Sequence, residues 1–512
     1  MRPTLVPLVL ALLVVLAGCA APVADSSERA DVADPDVDDD SVSETASTAD
    51  DEPEDGDPSD GDDASDEPDP PGEDPEVPDA PDDDADVPDG EEIDEVDGLE
   101  VRGGELPFDE NRTFDRVQEL LEVELRPPVV YVQEPFATPR GVERNPSSFY
   151  AVMNVSLPDP DDTGDELGVG GVASAMNAVY VMPGDDADPA EVERVLVHEL
   201  VHAAQFQQRV PQTFHDSVPS AHQGTTDADL AYVSVMEAGA VYGSTAYTDA
   251  YDADVEPEGE LLERLYPNAS SGTKLVWGPY YYGYQYADER YDSPAEHWDM
   301  YEDPPVTMRA VMEGDRGSEA DLEPFGASLA ARDTGWRLAE TDTKGAFVTK
   351  QVLGTELEAA ESRDVASAWA YDRLVRASHD DVALDGYAWS IRFETADDAE
   401  AFDAAITESL DSRAASVAVD GEPIDGEVPA DERENATWHA DGYAYGLSSV
   451  DDRTVALLAG PDAFVESAAV ESVGQSDVRV VVDADRDERA SSIAAPAVGS
   501  VPTATAPRGA AP

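Results

Sequence analysis

The chain has 512 residues and a formal net charge of −85, from 115 acidic and 30 basic residues. So acidic a composition excludes a nucleic-acid partner, because the phosphate backbone is bound through a basic surface. Cys19 is the single cysteine, which excludes internal disulfides, cysteine metal ligands and thiol catalysis.

In chain order, the first expected element is a targeting segment. Arg2 precedes an apolar run, Leu5–Leu16, that is too short to span a bilayer comfortably. It ends in Leu16-Ala17-Gly18-Cys19, small residues before a cysteine that resemble a lipobox. Residues 1–18 therefore read as a signal peptide, with Cys19 as the lipid-attachment residue. This predicts an exported protein held by lipid on the extracellular face of the cell membrane. Residues 19–100 read as a disordered acidic stalk. Positions 23–100 contain 36 Asp or Glu, one basic residue (Arg29) and no aromatic residue, so they cannot bury a core and repel themselves into an extended chain. From residue 101 onward there are 79 acidic and 28 basic residues, a balance of −51, and only three lysines. A folded domain with that balance repels itself in dilute buffer. Molar salt shrinks the Debye length to about 3 Å and relieves the repulsion, so the composition reads as halophilic.

Residues 101–325 are expected to form the first folded part. Its pattern predicts a helix over Phe114–Leu125 and strands over Val129–Val132, Tyr150–Leu157 and Asn177–Met182. Then comes Asp188-Pro189-Ala190-Glu191, an N-cap, a proline at the first helical position and an acid at the capping-box position. Val192, Leu196, Leu200 and Ala203 make an apolar helical face, and Arg194, Gln205 and Gln208 a narrow polar side.

That helix carries His198-Glu199-Leu200-Val201-His202, an H-E-x-x-H in a chain with seven histidines. Residues four apart lie one above the other on a helix, so both imidazoles can reach one metal ion. Glu199 sits about 100° around the helix, where it can act as a base beside the ion. A third ligand is needed. Gln205 and Gln208 stand where an H-E-x-x-H-x-x-G-x-x-H pattern would have Gly and His, so that pattern is excluded. Glu237, on a helix expected over Asp227–Tyr247, is the better candidate; Asp227, Asp229 and Asp249 are weaker ones. It shares a face with Leu230, Val233 and Val241, where an unpaired carboxylate would be costly to bury. Ala238-Gly239-Ala240 would let this helix approach the first closely. Two His, one Glu and a water are a zinc-like set, although Co, Mn or Ni could also occupy it. An oxyanion donor would complete the site. His215, His222, His297 and the Tyr280–Tyr282 cluster, Tyr281 included, are candidates.

These residues resemble the gluzincin-type metallopeptidases, with their H-E-x-x-H-A-x-Q-x-Q stretch (here His198 to Gln207) and a downstream Glu followed by small residues (here Glu237-Ala238-Gly239-Ala240). Tyr280-Tyr281-Tyr282-Gly283 is similar to the family's Y-x-x-G, and Tyr301 to Thr307 to its Y-x-x-P-P-x-T. The resemblance covers about 165–405 and is greatest to halophilic archaeal surface lipoproteins. It implies an α+β zincin-like fold, Zn²⁺ at His198, His202 and Glu237, Glu199 as catalytic base, and a peptide or protein substrate. The chain departs from the family pattern at Phe206, and Met308-Arg309-Ala310 replaces the family's T-E-Q. The His that normally follows T-E-Q is missing too. These departures bear on turnover more than on metal binding.

Residues 326–485 are expected to form a C-terminal helical and α+β region. Residues 325–385 look mainly helical with short extended pieces. Tyr387–Phe393 alternates like a strand, Asp397–Leu410 like an amphipathic helix, Trp438–Leu447 and Thr454–Leu458 like strands, and Ala463–Val473 like a helix. Residues 486–512 are Ala/Pro-rich and expected to be disordered. Two readings other than a peptidase are a binding or structural lipoprotein with a structural metal site, and a cation-scavenging coat. The coat explains the charge and leaves the His pair unexplained.

Overall fold

The computed structural model describes residues 98–133, 148–156, 169–184, 187–251, 255–315, 322–424, 426, 428–430, 432–474 and 476–483. The expected signal peptide, Cys19, the stalk up to residue 97 and the tail from 486 lie outside the described residues.

The described chain starts with a small mixed sheet. β1 (Glu100–Arg102), β2 (Val129–Val132) and β4 (Ala178–Pro183) are parallel neighbours, and β3 (Val169–Ser174) forms the edge, antiparallel to β4. α1 (Glu110–Leu121) is capped by Asp109, which accepts from Arg112 N at 3.1 Å. The segment expected as a strand from Tyr150 instead contains a helix, α2 (Ser148–Val152). Phe149 is buried together with Val152 and Met153, and spacings of three and four put them on one helical face.

α3 (Pro189–Gln207) is the predicted His helix, and Asp188 accepts from Ala190 N at 3.0 Å. Val192, Leu196 and Leu200 share a core with Val130, Val179 and Val181 of the sheet and with Phe114 and Val117 of α1. The expected polar side is only partly a solvent face: Gln208 is exposed, whereas Arg194 and Gln205 are buried. Arg194 donates to the Glu256 carbonyl at 2.7 Å, and Gln205 is built into the centre described below.

After α4 (Val210–Ser217) comes α5 (Thr226–Tyr251), which is buried on nearly all sides. Ala240 and Tyr247 belong to the core under α3, while Val233, Met236 and Val241 belong to the core that continues into the C-terminal sheet. α6 (Glu258–Leu265), α7 (Ser271–Asp288), a 3₁₀ turn (Glu296–Glu302) and α8 (Met308–Glu313) complete this helical part.

The C-terminal part is built on an antiparallel sheet in the order β10-β9-β11-β12-β13-β8-β7-β6. Its strands are β6 (Trp336–Asp342), β7 (Trp369–His379), β8 (Val382–Phe393), β9 (Ser416–Val419), β10 (Glu422–Ile424), β11 (Ala436–Ala440), β12 (Tyr443–Asp451) and β13 (Thr454–Gly460). α9 (Gly345–Leu353) and α10 (Ala359–Ser367) lie between β6 and β7, so 325–385 holds more strand than the sequence pattern suggested. The strand expected over Trp438–Leu447 is a hairpin, because Asp441 and Gly442 adopt positive φ and turn the chain between β11 and β12. α11 (Ala396–Arg413) has a capping box formed by Thr395 and Asp398, and Phe402 packs on Phe393 of the sheet. The helix expected over Ala463–Val473 stops early: α12 covers Asp462–Val465 and β14 covers Ala468–Val473. There Ala468 and Val470 are buried alternately and pair with Val482 and Val480 of β15 (Asp477–Val482), whose other neighbour is β5 (Ala327–Ala330).

The first turn of α5 is locked to the C-terminal sheet through Asp342-Thr343-Lys344-Gly345. Asp342 accepts from Thr226 N (2.8 Å), Thr226 Oγ1 (2.6 Å) and Thr343 N (2.7 Å), and pairs with Lys344 Nζ at 2.7 Å. Asp372 of β7 accepts from Lys344 N, Gly345 N and the indole N–H groups of Trp369 and Trp389, all at 2.8–2.9 Å. Every charge in this buried knot has a partner.

Candidate metal centre

α3 and α5 cross so that His198, His202 and Glu237 converge, all three buried. The two Nε2 atoms are 3.1 Å apart, and Glu237 Oε2 is 3.2 Å from one and 3.4 Å from the other. Tetrahedral bonds of about 2.0–2.1 Å separate neighbouring ligand atoms by about 3.3 Å. The three side chains therefore already have the spacing that one small cation requires.

Hydrogen bonding on the far side of each ring leads to the same conclusion. His198 Nδ1 is 3.0 Å from Glu258 Oε2, and His202 Nδ1 is 2.7 Å from Gln205 Oε1. Both partners are acceptors, since Gln205 Nε2 donates to the Met236 carbonyl and to Tyr301 Oη, each at 2.7 Å. Each Nδ1 thus carries a proton, and each Nε2 presents its lone pair to the other and to a carboxylate. Such a group of acceptors is stable only around positive charge. Burial alone would lower both imidazoles, but the surrounding carboxylates raise them: Glu258 and Glu237 act on His198, and Glu237 on His202. Glu237 is lowered; the two histidines outweigh its burial.

Glu199 is fully buried, and neither of its oxygens has a hydrogen-bond partner. Burial raises its carboxyl to about 7, against the pull of His198 and His202. The edge strand crosses directly over it, since a Cβ on Gly171 would come within 2.6 Å of Glu199 Cγ and Oε1. Gly239 does the same work on α5. A side chain there would collide with Tyr301, Gln205 and His297, so the predicted close approach of the two helices depends on it.

The other expected residues are spread out. His215 is exposed on α4. His222 is buried against Asp227 (3.1 Å) at the start of α5, roughly 15 Å along the helix from Glu237 at 1.5 Å per residue. Tyr281 stacks on Tyr266, with centroids 4.1 Å apart, and accepts from Gln285. His297 lies beyond Gln205, beside Trp298 and Tyr301, and burial lowers it to about 4, so it is neutral. The hydroxyl that does lie at the centre belongs to Tyr280, which is raised well above the phenol range by burial and then by Glu237.

The roles of two positioning residues were not legible in the sequence. Glu258 lies on a third helix, α6, and also accepts from Ser244 Oγ at 2.5 Å. It is held down to about 2: burial opposes this, and His198, Arg194 and Ser244 prevail. Gln205 was visible as the first Gln of the H-E-x-x-H-A-x-Q-x-Q stretch and on the expected polar side, but with no role assigned.

The fold and site thus define a mixed α+β protein with a buried His-His-Glu cluster that could hold a metal ion. Residues 331–473 match a family described as a domain of unknown function (DUF8575). That stretch covers less than half of the chain and lies wholly outside the His-His-Glu cluster. No curated protein and no solved structure matches the chain.

Proposed function

We propose that this chain is a zinc-dependent hydrolase of the gluzincin type that cleaves peptide bonds, with a zincin-like arrangement of edge strand β3 over the His helix. In this reading the protein is exported, anchored by lipid at Cys19 and active in high salt. The observation that carries the reading is Glu199, a fully buried carboxyl without a hydrogen-bond partner, next to His198 in the chain and directly under Gly171 of the edge strand. A carboxylate kept free of other partners beside the ligand set can serve as a general base, and a purely structural metal site has no use for one.

His198, His202 and Glu237 would hold Zn²⁺, and the ion would supply Lewis acidity towards a water and a substrate carbonyl. Glu258 and Gln205 fix both rings with Nε2 turned inward. Glu199 takes the proton of the attacking water on a carboxylate oxygen and releases it to the leaving amine. Tyr280 keeps its proton and serves as a neutral donor near the carbonyl oxygen.

A second reading, a non-catalytic surface lipoprotein with a structural metal, is favoured by one feature. His198 and His202 are each 1% exposed and Glu237 is 0% exposed, and structural zinc sites are closed whereas catalytic ones keep an open position. The two readings separate when the full chain, purified in molar KCl, is assayed for bound zinc and for cleavage of a peptide library, as wild type and as Glu199→Gln. The hydrolase reading expects zinc in both and a turnover about 10²–10⁴-fold lower in the variant. Zinc in both with cleavage by neither would leave the structural reading, and a folded chain that takes up no metal would remove both.

A further inference from the structure

The metal centre gathers lone pairs that lack a cation. A second cluster, on the other side of α7, gathers cations that lack an anion. Lys350 of α9 is only 7% exposed, yet it forms no hydrogen bond or ion pair among the described residues. Its ammonium lies 5.7 Å from the centroid of the Tyr282 ring. The charges that act on it are Lys274 of α7 and Arg363 of α10, both positive; after burial itself, they push Lys350 down to about 8.

Packing fixes this arrangement. α7 and α9 meet where Gly278 lies against the Phe347 ring, closely enough that no Cβ would fit. Lys274 is one helical turn from that contact on α7, and Lys350 is nearly one turn from it on α9. Gln351 donates to Tyr266 Oη at 3.2 Å, and the Tyr266 and Tyr282 rings pack edge-on with centroids 5.7 Å apart. Arg363 spends one amine on the Met312 carbonyl at 3.1 Å, leaving other N–H groups of its fork uncommitted.

Composition makes this convergence informative. The chain has 115 acidic residues and three lysines, and here one lysine acts electrostatically on another, with no carboxylate among the groups that shift Lys350. The third, Lys344, shows how the same fold treats a lysine that is merely structural: it is equally buried, and Asp342 pairs with it at 2.7 Å. A largely buried ammonium without a counter-charge is costly to hold. We propose that the junction of α7, α9 and α10 at Lys350 is a binding site for a small oxyanion, held by Lys350, Lys274 and Arg363. A phosphate-like or carboxylate group offers several acceptors at once and suits the guanidinium fork. This site is separate from the metal centre and does not depend on its chemistry.

The test uses the full chain with lysine labelled by carbon-13 at Cε, which gives three lysine signals, assigned by Lys274→Arg and Lys344→Arg. Inorganic phosphate, or acetate in a parallel arm, replaces chloride at constant molar ionic strength. The expected result is a saturable shift of the Lys350 and Lys274 signals while Lys344 stays still, with phosphate affinity about tenfold lower in Lys274→Met, the loss of one charge-assisted contact. Saturation by either anion supports the site and shows which geometry it prefers. No shift at Lys350, or an unsaturated drift shared by all three signals, overturns it.

Discussion

Asp227 and Glu237 lie on the same helix, α5, and both are fully buried, but their surroundings treat charge in opposite ways. Around Asp227 the chain supplies its own partners. His222 and the Met308 amide reach Asp227, Lys344 reaches Asp342, and two indoles and two backbone amides reach Asp372. Around Glu237 the Tyr280 hydroxyl is a donor, set against two inward-facing imidazole nitrogens and the unpartnered oxygens of Glu199. A polar core that closes on itself is a structural fastening. A polar core with every lone pair pointing at one place is completed by something from outside.

If that contrast is right, the two clusters respond differently to perturbation. Chelation gives the largest expected effect. Ion at about 1,000 times its Kd stabilises the folded state by about 4 kcal/mol, so removing it lowers the urea midpoint by that equivalent; an unchanged midpoint would put Glu237 in the same class as Asp227. Substitution in the fastening comes next. Asp372→Asn turns an amide N–H₂ towards donors and costs about 3 kcal/mol, with bound metal per chain unaltered.

Acidification separates the centre's surroundings from its ion. Burial lowers His297 to about 4 from an ordinary 6.5, and its Nε2 has no partner. Between those values the unfolded chain binds the extra proton. The stability that His297 contributes is therefore full above about pH 6.5 and falls by about 3 kcal/mol as pH drops towards about 4. Measured in chelator, so that metal release does not contribute, His297→Phe flattens that slope. The smallest expected effect belongs to Glu258→Gln, which keeps the shape but weakens the acceptor behind His198. Metal affinity falls about 10–100-fold, read by competition with a chromogenic chelator.

The sequence showed much of this centre and little of its support. His198, His202 and Glu199 are visible because five adjacent residues on a capped helix carry the pattern, and Glu237 because small residues and an apolar face single it out. Glu258 gives no such signal. It is one acid among 115 in the chain, and only the packing of α6 beside α3 distinguishes it. Local pattern also misjudged Tyr150 and Ala463–Val473. A five-residue helix and a six-residue strand carry too little periodicity to be told apart, and tertiary partners, Phe149 with Val152 and Ala468 with Val482, decided them. Asp441-Gly442 carries its own turn signal, but apolar residues on both sides continue the alternation across it and mask the hairpin.

The most direct measurement is metal content. The full chain, purified in molar salt without chelator and analysed by mass spectrometry alongside His202→Ala, is predicted to carry a single transition-metal ion that the variant lacks. A folded wild-type chain that holds no metal, even after incubation with zinc, would contradict the account.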